Sequence, residues 1–416
     1  MTATAVSVSR QGWRVVLGLS VVLCICFGLT LNALGILTVP ILAAFRCSHE
    51  EVAGVATAFL LAMTLAMPAA GWLIDRVPAR PVMVGGALAA ALGYLLAAGC
   101  EGLTGFIAAL ALGGAGIGLC TYVPAVTLVS RWIPPNKQGL AFGILLAAVA
   151  LGGMIFPLLL NQAIAAFGWR VALRLAAAVI LGCCVPLLFW LARMPAAPAS
   201  DTAGHGMEAG GTGIGAALRS GGFWLWTAML LLITLSSLAV LMALVPYLVS
   251  IGYSSTQAAS ANAGTAAATL VGNLLFGALS NRFGAERTLM FGSLASAAGT
   301  LFLLAAGDPA LGTAAVVAFV VVWGTTFNLA NQLSPTLLLE AMGPANFGSL
   351  LGIGNLLAGL ASAFGPQGVG YLVDATHAYT WPLLACAALM AAALLPLGLL
   401  HRARSAPATT LAASCP

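Results

Sequence analysis

Long apolar segments alternate with short polar connections from Trp13 to Leu400. Each segment approaches or exceeds the roughly 20 residues that an α-helix needs to cross the hydrocarbon core of a bilayer. The pattern therefore predicts an all-α, multi-pass membrane protein. It predicts twelve spans, at residues 13–43, 52–74, 81–100, 103–130, 138–164, 170–192, 223–251, 257–280, 287–306, 310–339, 346–373 and 381–400.

Charge is scarce and lies in the connections. Charged residues make up 6% of the 416 residues and hydrophobic residues 61%, whereas a soluble chain carries about 25% charge. No ionisable side chain falls in the middle of a predicted span, the place where such groups bind ions or protons in pumps and transporters. No small-residue cleavage site follows the first apolar segment, so we expect no cleaved signal peptide.

The distribution of basic residues predicts the orientation. Connections after odd-numbered spans hold three basic residues, and the termini with the other connections hold the remaining twelve. By the positive-inside rule both termini are cytoplasmic, in an inner or plasma membrane. The net charge of +5 is thus an orientation signal. Because these residues are spread over many short loops, we expect no nucleic-acid partner.

One connection is much longer than the others. Residues 194–221 are rich in Gly, Ala, Ser and Thr and lack apolar periodicity, which predicts a flexible cytoplasmic linker. This linker separates an N-terminal six-helix bundle, 1–193, from a C-terminal six-helix bundle with a short cytoplasmic tail, 222–416.

The two halves repeat each other. Three residues after span 2 recur after span 8 at an offset of 206, and two residues of span 5 recur in span 11 at an offset of 209. Matched landmarks at nearly equal offsets indicate a duplicated six-helix unit. The pairs are Gly71 with Gly277, Asp75 with Asn281, Arg76 with Arg282, Gly143 with Gly352, and Pro157 with Pro366.

The segment Gly71–Arg80 resembles the signature loop of the major facilitator superfamily. Two more segments, Ser130–Gly143 and Phe167–Arg170, are similar to its monocarboxylate transporter and oxalate:formate antiporter branch. The resemblance implies twelve helices in two pseudo-symmetric bundles, one central site, and alternating access by rocking of the bundles. The expected function is secondary transport of a small organic solute of the monocarboxylate type.

The resemblance also implies a gate. In the family, the carboxylate that corresponds to Asp75 docks at the positive, N-terminal end of span 11 and holds the cytoplasmic side closed. Arg76 and Arg80 are expected to pair with it, with carbonyls or with lipid phosphates; setting topology alone is the other interpretation. In the second copy, Gly277 and Arg282 flank Asn281, whose lack of charge weakens the latch.

Small residues and prolines in spans 5 and 11 predict close helix packing and helix bending. The residues concerned are Gly143, Gly153, Pro157, Gly352 and Pro366. The glycine-rich run Gly113–Gly118 lies inside an apolar helix with no strand before it, so it also indicates helix packing rather than dinucleotide binding.

The candidate substrate site is polar and uncharged. Carboxylate binders of the resembling branch place a basic residue four positions before the second signature glycine, where this chain has Asn273, and another near Ala358. The missing charges argue against a dicarboxylate, because a buried carboxylate needs a partner. The candidate lining residues are Asn32, Tyr122, Asn273, Trp323, Phe327 and Asn328.

Two of these candidates, Tyr122 and Trp323, match aromatic positions that line the cavity in the resembling branch. For Asn32, Asn273 and Asn328, an interhelical hydrogen bond of about 0.6 kcal/mol explains the residue equally well.

The residue types within the spans also bear on whether transport is coupled to proton movement. All four histidines lie in loops or at a span end, and proton symport normally needs a titratable group within the membrane. We therefore favour facilitated diffusion or exchange over tight proton coupling.

Other functions receive less support. We find no catalytic constellation and no motif for a metal, haem or quinone, so neither an enzyme nor a cofactor is expected. Efflux of neutral or hydrophobic compounds is the main alternative, and a non-transporting sensor is a weaker one. The expected partners are a small-molecule substrate and the lipid bilayer, and the expected state is a monomer. Whether Cys47 pairs with Cys100 stays open.

Overall fold

The computed structural model describes residues 3–193 and 213–405. Twelve helical spans in this part of the chain are long and apolar enough to cross a membrane, which confirms the predicted fold class. Spans 1–6 comprise helices Ala3–Gly28 with Leu31–Phe45, His49–Arg76, Ala79–Gly99, Leu103–Cys120 with Tyr122–Trp132, Pro135–Phe167, and Trp169–Val179 with Val185–Leu191 joined by the π-helical turn Ile180–Cys184. Spans 7–12 comprise Gly221–Ser250, Ser255–Phe283, Ala285–Leu304, Gly312–Thr326 with Leu329–Met342, Phe347–Thr376, and Thr380–Ala392 with Leu394–Ser405.

Spans 2 and 8 begin with the same local structure. Ser48 accepts a hydrogen bond from the Glu51 amide while the Glu51 side chain accepts one from the Ser48 amide. Ser254 and Gln257 form the matching capping box. A cap of this kind contributes about 1 kcal/mol to helix stability. The two caps lie 206 residues apart, the offset of the signature residues, so the repeat extends to the helix starts.

Four spans are interrupted, which hydropathy did not predict: spans 1, 4 and 10, and span 12 at Ala393. Span 1, predicted as one segment over 13–43, is two helices separated at Leu29 and Thr30, and only the first is long enough to span. Span 4 breaks at Thr121 and span 10 at Phe327 and Asn328. At the break in span 1, the Tyr94 hydroxyl donates to the Leu29 carbonyl at 3.1 Å. At the break in span 4, Thr121 donates both its backbone amide, at 3.1 Å, and its hydroxyl, at 2.7 Å, to the Ile117 carbonyl.

Glycines allow the helices of each bundle to approach closely. A Cβ atom at Gly114 would lie 2.3 Å from the Phe59 carbonyl oxygen, and one at Gly116 would lie 2.3 Å from the Ala90 nitrogen. Spans 2 and 3 therefore pack directly on the backbone of span 4. The packing interpretation of the run Gly113–Gly118 is confirmed.

The most extensive contacts between the bundles join span 2 with span 11 and span 5 with span 8. Gly143 lies against the Asn273 carbonyl, where a Cβ atom would be 2.3 Å from the oxygen. A Cβ atom at Gly352 would lie 2.6 Å from the Met67 carbonyl oxygen. Gly153 lies half-buried in span 5, and Pro157 and Pro366 sit inside helices that continue through them.

The predicted linker 194–221 falls largely outside the described residues. Where the chain is described again, Ile214–Arg219 is a short helix, so this end of the predicted flexible segment is ordered. The Trp224 indole donates a hydrogen bond to the Leu218 carbonyl at 2.8 Å and ties this helix to the start of span 7.

Candidate functional site between the bundles

Asp75 joins the two bundles at the end of the molecule that carries Gly71–Arg80, hereafter the signature end. Its carboxylate accepts hydrogen bonds from the Gly348 amide at 3.1 Å, the Ser349 amide at 2.7 Å and the Ser349 hydroxyl at 2.7 Å. The amides belong to the first turn of span 11, where helical backbone donors have no partner within the helix. The side chain is only 5% exposed, so water competes little with these bonds.

The charged partner of Asp75 differs from the expectation. Arg131, at the end of span 4, lies 3.4 Å from the carboxylate. Arg76 instead stacks on the Trp72 ring at 4.4 Å and donates to the Trp72 carbonyl. Arg80 stacks on Phe189 at 4.9 Å. These two side chains extend along their own bundle because aromatic rings lie beside them, and Arg131 takes the position at Asp75.

A second, weaker contact repeats the first by pseudo-symmetry. The Asn281 side-chain oxygen accepts a hydrogen bond from the Leu140 amide near the start of span 5, at 3.3 Å. It therefore forms the same kind of contact as Asp75 without the charge. Arg282, the repeat of Arg76, lies over the Phe283 ring at 5.4 Å.

The backbones touch beside both contacts. A Cβ atom at Gly71 would overlap the Gly348 carbonyl oxygen, at 1.9 Å, and one at Gly277 would lie 2.8 Å from the Gly139 carbonyl oxygen. The signature end is therefore closed by direct helix-to-helix contact, and a larger residue at either glycine would separate the bundles.

A polar cluster joins the bundles at mid-depth. The Tyr122 hydroxyl, just after the break in span 4, donates to the Asn331 carbonyl of span 10. These two residues are 209 apart, so they are pseudo-symmetric counterparts that contact each other across the axis between the bundles. Asn331 also donates to the Asn328 side-chain oxygen at 2.9 Å.

Gln332 and Asn273 complete this cluster, hereafter the central cluster of Tyr122, Asn273, Asn328, Asn331 and Gln332. The Gln332 side-chain nitrogen donates to the backbone carbonyl of Asn273 at 2.9 Å and to that of Gly139 at 3.3 Å. These bonds link spans 10, 8 and 5. Nine buried side-chain nitrogen or oxygen atoms of the described residues have no hydrogen-bond partner there, and two of them belong to this cluster: Nδ2 of Asn273 and Oε1 of Gln332. Leaving such groups unpaired costs about 1–3 kcal/mol each.

Two predicted aromatic positions lie elsewhere. Trp323 contributes no surface to a cavity here, because it is fully buried in the C-terminal bundle against span 9, stacked on Phe319 at 5.0 Å. Phe327 lies at the break in span 10, half-buried, with its ring 5.1 Å from that of Trp323. The side chain of Asn32 lies outside the described residues.

The residues that form contacts of the gate or the cluster through a side chain or a backbone group, and that were not among the predicted site residues, include Arg131, Gly139, Asn331, Gln332 and Ser349. Arg131 and Gly139 lie within the segment Ser130–Gly143, so the motif contained a signal for them. Ser349 corresponds to Leu140 at the repeat offset of 209, and both donate a backbone amide to a signature residue of the other half. At the end of the molecule opposite the signature end, Cys47 and Cys100 are both free thiols.

The comparisons with known proteins agree with this geometry. The profile of the Major Facilitator Superfamily matches residues 18–366 and again 232–414. Monocarboxylate transporter 13 of Rattus norvegicus is 28% identical over 89% of this chain and 84% of its own. An uncharacterized MFS-type transporter of Mycobacterium tuberculosis is 32% identical over 82% of this chain and 76% of its own.

Among solved structures, a bacterial homologue of the iron transporter ferroportin, in an outward-facing state, superposes with a TM-score of 0.74 at 16% identity. The match covers 94% of this chain and 100% of the ferroportin homologue. At 16% identity, this similarity shows a shared fold and nothing more specific. Together with the family profile and the duplicated contacts between the bundles, it places the chain in the Major Facilitator Superfamily of membrane transporters.

Proposed function

We propose that this protein carries small monocarboxylate-type solutes, acting as a carrier and not as an enzyme. The observation that supports this most directly is the unpartnered, buried Nδ2 group of Asn273 in the central cluster. A donor kept unpaired at a cost of about 1–3 kcal/mol is ready for an acceptor that arrives when the bundles separate. A carboxylate oxygen is such an acceptor.

The absence of charge at this depth limits the substrate. In the described residues, the side chains of Asp, Glu, Lys, Arg and His lie near the ends of the spans, so a bound carboxylate meets amide and hydroxyl donors alone. Neutral donors compensate one desolvated charge in part and two charges poorly. A monoanion bound weakly therefore fits better than a dicarboxylate, and the sequence relationship to a monocarboxylate transporter supports the same class.

We further propose that the signature end is cytoplasmic, as the distribution of basic residues favours. The closed contacts of Asp75 and Asn281 then hold the cytoplasmic gate shut, and the protein faces outward. Transport would proceed when these contacts break and the opposite end closes. The proposed gate consists of Gly71, Asp75, Ser349, Gly277 and Asn281.

A neutral or hydrophobic substrate, exported from the cell, is the second candidate. It is favoured by the same uncharged central cluster, because a neutral solute pays no cost for desolvating a charge. The two candidates differ in one observable property: a monocarboxylate carrier exchanges anions, whereas an exporter of neutral compounds ignores them.

Exchange in proteoliposomes tests the proposal. Vesicles loaded with unlabelled solute would be diluted into labelled lactate, oxalate or a neutral polyol, and the trapped label measured. We expect exchange of the monocarboxylate, reduced about tenfold by Asn273→Ala, as loss of one hydrogen bond to a charged group predicts. Asn355→Ala is the matched control, because Asn355 donates to the Leu351 carbonyl of its own helix at 2.8 Å.

Either of two results would contradict the monocarboxylate assignment. One is exchange of the polyol alone, which would support the neutral substrate. The other is equal loss of exchange in Asn273→Ala and Asn355→Ala, which would mean that the Asn273 side chain has no particular role.

A further inference from the structure

A cavity of about 430 Å³ lies at the signature end of the N-terminal bundle, away from the contacts between the bundles. The start of span 1 and the ends of spans 4 and 6 form its walls. Its polar and aromatic lining consists of Arg10, Gln11, Arg14, Trp132, Trp190 and Arg193. Neither the gate nor the central cluster uses any of these residues.

The walls of this cavity are fixed to each other. The buried indole of Trp132 donates a hydrogen bond to the Arg193 carbonyl at 2.8 Å, which joins the end of span 4 to the end of span 6. Close to the same point, a Cβ atom at Gly12 would lie 3.2 Å from the Trp132 carbonyl oxygen, so span 1 packs on the end of span 4. The cavity is therefore a built feature of three helices.

Three guanidinium groups share this cavity, and the part of the chain that the structure describes pairs none of them with a carboxylate. The ion pairs seen among residues 3–193 and 213–405, such as that of Arg131 with Asp75, do not include Arg10, Arg14 or Arg193. Arg10 and Arg14 are also four residues apart on one helix, where like charges repel. All three arginines are exposed, and an anion that enters the cavity would relieve the repulsion between them.

The shape and position of the cavity indicate the kind of anion. Guanidinium groups match the oxygens of phosphate in paired, planar hydrogen bonds. Trp190 is 70% exposed at the end of span 6, and tryptophan is enriched at the depth of lipid headgroups. We propose that this cavity binds a phosphate group, either in the head of an anionic membrane lipid or on a soluble organophosphate.

Binding to the purified protein in a neutral detergent tests the site and separates the two sources. Dihexanoyl phosphatidylglycerol, dihexanoyl phosphatidylcholine and glycerol phosphate would be titrated separately, with binding followed by native mass spectrometry. We expect phosphatidylglycerol to bind at least about tenfold more tightly than phosphatidylcholine. Arg10→Gln combined with Arg14→Gln should weaken that binding about tenfold, as loss of a charge-assisted hydrogen bond predicts.

Arg219→Gln is the matched control. Arg219 lies 209 residues after Arg10 and is exposed at the start of the C-terminal bundle, outside the cavity. Its replacement should leave the binding unchanged, and thermal melting should show all variants folded. Glycerol phosphate binding as tightly as the lipid would support the soluble source, and much weaker binding the lipid. Equal affinity of the double variant and the unaltered protein for every phosphate ligand would overturn the proposal.

Discussion

At the scale of single residues, the gate has one charged acceptor and one neutral acceptor in equivalent places. Asp75 accepts three hydrogen bonds from span 11, whereas the recorded interbundle contact of Asn281 is one bond from span 5. Hydrogen bonds to a charged group contribute about 1.5–3 kcal/mol and neutral ones about 0.5–1.5 kcal/mol. The contact between spans 2 and 11 is therefore the stronger of the two.

Asp75→Asn keeps the shape of the side chain and removes its charge. We expect the closed signature end to lose about 1–3 kcal/mol, which shifts its closed-to-open ratio by about tenfold or more. Hydrogen–deuterium exchange of the Gly348 and Ser349 amides would report this directly, because Asp75 is their acceptor. Asn281→Ala should speed exchange at Leu140 by a smaller factor. Unchanged protection of Ser349 in Asp75→Asn would contradict the assigned role.

Asn273 provides a test that separates stability from transport. Its buried Nδ2 group lacks a partner among the described residues, so replacing the side chain with one of similar volume removes an unsatisfied donor. Asn273→Leu is therefore expected to raise the melting temperature by a few degrees while lowering monocarboxylate exchange. A lower melting temperature would indicate that the amide stabilises the closed form, which would argue against a donor reserved for substrate.

At the scale of helices, backbone contact at glycines controls how far the bundles approach. Gly71→Ala would place a Cβ atom against the Gly348 carbonyl, whereas a Cβ atom at Gly85 would meet nothing within 4 Å. We expect Gly71→Ala to open the signature end and Gly85→Ala to leave it closed. Distances between spin labels on spans 2 and 11 would measure this. Equal distance distributions in the two variants would mean that the contact yields without separating the helices.

Some features of the helices could be predicted from the sequence and others could not. Twelve spans follow from hydropathy, and the position of Asp75 at span 11 follows from the signature segment. The breaks at Thr30, Thr121 and Asn328 could not be predicted, because hydropathy averages over a window and is insensitive to one residue that leaves the helix. A hydroxyl group that bonds a carbonyl at a break, as Tyr94 does at Leu29, is a weak sequence signal for the position of that break.

The structure also differs from the sequence-based expectations in the directions in which some side chains point. Trp323 was expected to line the cavity, but its ring is fully buried inside the C-terminal bundle against Phe319. Arg131 contacts Asp75 because the ends of spans 2 and 4 meet in the folded bundle. Both facts depend on how helices are rotated about their axes, which a list of spans does not specify.

At the scale of the whole molecule, the lack of ionisable groups at mid-depth predicts how transport responds to pH. A carrier without a titratable group in its path has no protein site that can take up a proton with each substrate. We therefore expect exchange of a monocarboxylate to proceed at equal pH on both sides and to be unchanged by a proton uncoupler. A pH-sensitive dye trapped in proteoliposomes would detect any proton movement linked to net uptake down a monocarboxylate gradient, and stoichiometric acidification of the lumen would contradict this expectation.

The same uncharged interior determines what the membrane voltage acts upon. A potential of 100 mV changes the energy of one elementary charge moved across the membrane by about 2.3 kcal/mol. The empty protein carries no such charge across the middle of the bilayer as its bundles rock, so its return step is electrically silent. A bound monoanion supplies the charge itself, so an inside-negative potential would work against its entry and assist its exit, while one-for-one exchange of monoanions would proceed with no net current.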